Sequence, residues 1–241
     1  MNNDLEPNQV SEQDQSSNQR PKLSFGYPLF VSFIVAFFIG SFVLTFSLLI
    51  YSEYAGIEFD SLISYPYLLG DALMVAILLL FFKNIRRFVL DSIRLSALKQ
   101  GRTYAYMAAG ALIVMVAQYV FIEWLNVDDP SNQSQMIGLD NVSGLVQYTL
   151  FFLAVAFFTP LKEEILFRGV LHRFFEMRHH WVMGLIISAI VFGVLHTDYP
   201  FTATTMGVVF VLLYRLTQSL SAPILLHMIW NAVGVIILTL E

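Results

Sequence analysis

Seven runs of apolar residues, most of them near the length of a bilayer-crossing helix, constrain this chain more than anything else in it. They lie roughly at Pro28–Tyr51, Leu62–Phe82, Tyr104–Leu125, Val142–Pro160 with its continuation, Trp181–His196, Phe201–Tyr214 and Pro223–Leu240. About 20 apolar residues carry a helix across a hydrocarbon core of about 30 Å, and Phe201–Tyr214 falls furthest short of that length. In lipid, each segment must satisfy its own backbone polar groups, so the expected fold is all-α: a polytopic transmembrane helix bundle of about seven spans. Composition agrees. The chain is 57% hydrophobic and only 13% charged, too little charge to clothe a soluble globule of 241 residues. It has no cysteine, which removes disulfides and thiolate metal sites. A net charge of -5 gives no support for a nucleic-acid partner. The partner that the composition requires is the lipid bilayer.

Residues 1–24, rich in Asn, Gln, Ser and acid, have almost nothing to bury and are expected to form a disordered tail. An acidic, polar tail before a full-length span is unlike a secretory signal, so the first span reads as a retained anchor. Threading seven spans in order places all 13 Lys and Arg on the side of the N-terminus. The opposite loops, "SEYAGIEFDS" and "NVDDPSNQSQMIGLDN", hold acids and no cation. By the positive-inside rule the protein is expected in the cell membrane, multi-pass, with a cytoplasmic N-terminus. Residues 25–141 then supply three transmembrane helices joined by a basic cytoplasmic loop. Residues 83–102 of that loop alternate cations with apolar residues, which fits an interfacial helix on an anionic leaflet or a plain topology-setting loop.

Ionisable groups against membrane spans are costly and call for a reason. Three clusters qualify. In "TPLKEEILFRG", Glu164 and Arg168 are four apart and share a helical face, whereas Glu163 points about 100° away with no partner in its own helix. A paired carboxylate beside a free one suits a general base; a solvated helix end is the bland alternative. The second cluster is His196. With a turn near His179, Glu163 lies 16 residues before the turn and His196 lies 17 after it, so an antiparallel hairpin brings the two side by side. The third is "HMIWN", in which His227 and Asn231 share a face and can donate into one cavity or act as interhelical glue. His172, His179 and His180 are assigned no chemistry. A helix over Val142–Met177 would be about 54 Å long, beyond one hydrocarbon core, and Pro160 offers a kink.

These clusters also read as EExxxR ("EEILFR"), FxxxH ("FGVLH") and HxxxN ("HMIWN"), intact and in order. In this the chain resembles the CPBP family of intramembrane proteases, the CAAX prenyl proteases and bacteriocin-processing enzymes also called the Abi family. The resemblance covers about 142–241, which would be the catalytic helix bundle. It implies peptide-bond hydrolysis in a cavity open to the cytoplasm, on a hydrophobic or membrane-anchored peptide. Carried over by position, it makes Glu163 and His196 the activators of a water. His227 and Asn231 would stabilise the oxyanion or help hold a metal, with Glu164 and Arg168 as the supporting pair. Whether a divalent metal such as zinc takes part is left open, with Glu163, His196 and His227 as its candidate ligands. A non-catalytic scaffold or bacteriocin-immunity partner is the alternative. A proton-coupled carrier is a third reading, disfavoured by the lack of inverted repeats in the sequence.

Overall fold

The computed structural model describes residues 25–240, so the tail expected to be disordered lies outside the described residues. Among the described residues there are helices and no strands. Each of the seven apolar runs is a helix: α1 (Tyr27–Ala55), α2 (Tyr65–Phe81), α4 (Gly101–Trp124), α5 (Gly144–Arg178), α6 (Trp181–Val194), α7 (Pro200–Thr217) and α8 (Ser221–Leu240). A further helix, α3 (Lys83–Leu90), follows α2 after a 108° bend. Five of these helices are long and apolar enough to cross a membrane, and α2 with its bent continuation makes a sixth. The protein is a multi-pass membrane protein. Its shortest apolar helix is α6 and not the Phe201–Tyr214 segment, which lengthens to the 18 residues of α7. Proline explains the gain: Pro200 sits in the first turn of α7, where a missing N–H costs nothing, as Pro28 and Pro66 do in α1 and α2.

Helix α1 shows what the outer surface is for. Only a small part of it is buried, and Phe38, Phe42 and Phe46 stand 53–70% exposed. In water such a face would be untenable; against acyl chains it is the expected one. The protein's own core gathers around the second half of α5, where Val170, Phe174, Phe192, Phe210 and Leu220 are essentially inaccessible. Phe174 stacks on Phe30 at 4.0 Å, which fastens the start of α1 to α5.

Two features set the site. The first is α5 itself, 35 residues long and therefore about 52 Å, unbroken at Pro160. The helix widens to π geometry over Ala154–Phe158, just before that proline, and again over Ile165–His172. A π turn takes one extra residue into the helix, which rotates the side chains after it and accommodates the missing proline N–H without breaking the helix. Glu163 and Glu164 end the short α stretch between the two wide turns. The second feature is the loop 195–199. Asp128, buried after α4, accepts from the backbone N–H of Phe201 at 3.1 Å and of Thr202 at 2.7 Å, closing the N-terminus of α7. Asp129 N–H donates to Asp198 O at 2.7 Å. The loop that carries His196 is thus clamped from outside.

Candidate active site

The three clusters converge from α5, α6 with its following loop, and α8. Arg168 and Glu164 are both wholly buried, and Arg168 Nη1 donates to Glu164 Oε1 at 2.7 Å, the pairing expected from their spacing. The Arg168 guanidinium lies 4.4 Å from the Phe192 ring and 5.0 Å from that of Phe210, and Nη2 reaches Gly207 O at 3.4 Å. Arginine suits such a place because its charge is spread over a flat group that tolerates aromatic faces and poor hydration. Gly207 also lets α7 pack closely on α6: a Cβ there would come within 2.8 Å of Ala189 Cα.

His227, nearly inaccessible, lies across both carboxylates. Its Nδ1 is 3.0 Å from Glu164 Oε1, and its Nε2 is 3.8 Å from Glu163 Oε2. An ionised carboxylate that already accepts from arginine can only accept again, so Nδ1 is the donor and Nε2 is turned to Glu163. The 3.8 Å gap is too long for a direct hydrogen bond and of the size that one water bridges. Glu163 has no hydrogen bond from any side chain among the described residues, and its side chain is 15% exposed, against none for Glu164. The division into a bound and a free carboxylate is therefore present, with one addition that spacing alone does not supply. A single imidazole spans the two, its nitrogens on opposite edges of the ring.

His196 follows the end of α6 and makes no direct contact with Glu163. Its Nδ1 closes on Phe192 O at 2.7 Å, and since a carbonyl only accepts, Nδ1 carries the proton and Nε2 is left bare. Phe192 links the two imidazoles, with ring centroids 4.4 Å from His196 and 5.9 Å from His227. Tyr199, 5.4 Å from the His196 ring, was not singled out by the sequence motifs. Burial, then the negative charges of Glu163 and Asp198, push its phenol up, so it stays protonated and a donor on the same side of the site. Asn231 Nδ2 donates to Val155 O at 3.0 Å, in the first π segment, and keeps its second N–H. A metal fits less well. Among the described residues no three or more His, Asp or Glu converge as ligands. His227 Nδ1 and His196 Nδ1 are committed to Glu164 and Phe192 O, which leaves each Nε2 as the atom that a zinc shared with Glu163 would take. A cavity of about 590 Å³ lies between the start of α5 and the end of α8 and is lined by none of the motif residues.

Residues 145–233 match the family model described as type II CAAX prenyl endopeptidase Rce1-like. The chain is 32% identical over 84 residues to the putative membrane peptidase YdiL of Bacillus subtilis (strain 168), which is 34% of each chain. It is 34% identical over 95 residues to the membrane-embedded CAAX protease MroQ of Staphylococcus aureus (strain USA300), 36% of this chain and 38% of that one. The match thus spans little more than a third of either relative. No solved structure matches. All three motifs fall inside the matched segment, which supports their resemblance to the CPBP family.

Proposed function

We propose that this chain is a CPBP-type intramembrane endopeptidase that hydrolyses peptide bonds of hydrophobic or membrane-anchored peptides, with Glu163 as the general base. The observation that supports it best is the buried relay Arg168–Glu164–His227, which holds one imidazole nitrogen toward a carboxylate that accepts no side-chain hydrogen bond among the described residues. A structural polar cluster would use both carboxylates.

In the proposed reaction, water held between Glu163, His196 Nε2 and His227 attacks the peptide carbonyl carbon as its proton passes to Glu163. The carbonyl oxygen gains the charge. In its protonated form His227 donates from both nitrogens, one proton to Glu164 and the other toward that oxygen, and the free amide N–H of Asn231 adds a second donor. Glu163 then returns the proton to the departing amine, so the C–N bond breaks without a charged leaving group. Residues 142–241 form the catalytic bundle in this reading, and 25–141 are the three preceding spans with their basic loop. The distribution of Lys and Arg supports a cytoplasmic N-terminus and a cavity open on that side.

The test is cleavage of membrane-anchored peptides by the purified chain in liposomes prepared in H₂¹⁸O, with products read by mass spectrometry. The reading requires ¹⁸O in the new carboxyl group and no product from Glu163→Ala. Equal processing by wild type and Glu163→Ala would remove it.

A further inference from the structure

Asp71 is the one acid in the apolar stretch "YLLGDALMVAILLL" of α2, and its side chain is only 4% exposed. A carboxylate in that setting is unfavourable unless it is matched. Two groups match it. Lys162 Nζ donates to Oδ2 at 2.6 Å, and Ser41 Oγ, from α1, donates to Oδ1 at 3.1 Å. The ion pair joins two helices that carry none of the three motifs to the residue immediately before Glu163.

The position of the ammonium is what matters. Lys162 is drawn by the Glu163 charge as well as by Asp71, yet its hydrogen bond goes to Asp71. One cation is therefore within the field of two carboxylates and is bonded to the one outside the site. Its side chain is 11% exposed, so solvent offers it little alternative. Lysine is a point charge on a flexible four-carbon stem and can turn to a new partner without moving the backbone. With Asp71 neutral, Glu163 would be the nearest carboxylate left to it. A direct ion pair there would occupy the oxygens that a general base needs.

We propose that Asp71 is a positioning residue that holds the Lys162 ammonium away from Glu163 and so keeps the catalytic carboxylate free. The inference rests on Glu163 being the base, but its geometric half does not. A simple strut between α2 and α5 behaves differently: any loss of the pair would lower activity in step with stability. Under the proposal the harm comes from a released lysine, so removing the lysine as well repairs it.

The experiment compares wild type, Asp71→Asn, Lys162→Met and the double variant in detergent. It measures kcat and KM on a membrane-anchored peptide, measures thermal stability, and determines the structure of Asp71→Asn. Asp71→Asn is expected to lower kcat by about tenfold or more with KM changed by less than about twofold, the pattern of a lost transition-state contribution. The double variant is expected within about threefold of wild type, whereas Lys162→Met alone leaves Asp71 unmatched and is expected to lose thermal stability. In the Asp71→Asn structure, Lys162 Nζ is expected within about 4 Å of a Glu163 oxygen, the range of a direct charge effect. A double variant no faster than Asp71→Asn would overturn the inference. So would a Lys162 side chain turned away from Glu163 in that structure. Were wild type to cleave no peptide, the endopeptidase reading would fall, and the Lys162 position would still decide whether Asp71 restrains it.

Discussion

Replacing Arg168 by methionine tests the buried relay on which the rest of the site depends. The change removes a wholly buried guanidinium and leaves Glu164, also wholly buried, without its ion partner. It deletes the 2.7 Å bond to Glu164 Oε1, the 3.4 Å bond to Gly207 O and the contacts at 4.4 Å and 5.0 Å with the rings of Phe192 and Phe210. Methionine fills most of the stem's volume, so the cavity term is small and the orphaned carboxylate dominates. Breaking one side of a buried pair costs about 3–5 kcal/mol. The aromatic contacts, about 0.5–2 kcal/mol, put the loss toward the upper end of that range. His227 stays on Glu164 at 3.0 Å and is its remaining partner. Neutralising the orphan should then help: Arg168→Met with Glu164→Gln is expected to be about 2 kcal/mol more stable than Arg168→Met alone, an interaction of the size that contacting residues show. Unfolding by SDS in mixed micelles, followed by fluorescence of the three tryptophans, measures both. A loss below about 1 kcal/mol for Arg168→Met, as for surface ion pairs, would refute the reasoning and restore the picture of a solvated helix end.

Three more expectations follow from single contacts. Asp128→Ala removes the acceptor for two N–H groups at the start of α7, so stability should fall by about 0.5–2 kcal/mol, read from the same unfolding curves, and cleavage should slow because the loop bearing His196 loosens. Gly207→Leu forces a side chain into Ala189 Cα, so α6 and α7 must separate; loss of folded protein in size-exclusion profiles is expected, with Gly234→Leu, which meets nothing within 4 Å, as the tolerated control. Chelator treatment should leave peptide cleavage unchanged, because among the described residues no three His, Asp or Glu converge as ligands; loss of cleavage restored by zinc would show a metal role.

The helical class was legible from the apolar runs because lipid leaves a long apolar segment no other way to satisfy its backbone. The Glu164–Arg168 pair was legible from a spacing of four, and it survives although Ile165–His172 is a π segment, since long side chains absorb the difference. Other features were set by tertiary packing. Spacing on α8 could place His227 and Asn231 on one face, but nothing in it could show that one imidazole spans both carboxylates. A hairpin count put His196 beside Glu163, yet α6 ends at Val194, so His196 leaves the helix and turns back on Phe192. The Asp71–Lys162 pair could have been found: an acid in the middle of an apolar span is the signal that singled out Glu163, and it stood in α2 as well.

The most direct test of the account is a double-mutant cycle between Glu163 and His227, since both are said to act on one water. Rates are measured for wild type, Glu163→Gln, His227→Gln and the double variant on the same membrane-anchored peptide. Each single change should slow cleavage by about 10²- to 10⁴-fold, and the double variant should be no slower than the worse single one. Losses that multiply in the double variant, or an undiminished rate for Glu163→Gln, would contradict the shared water on which the proposed chemistry stands.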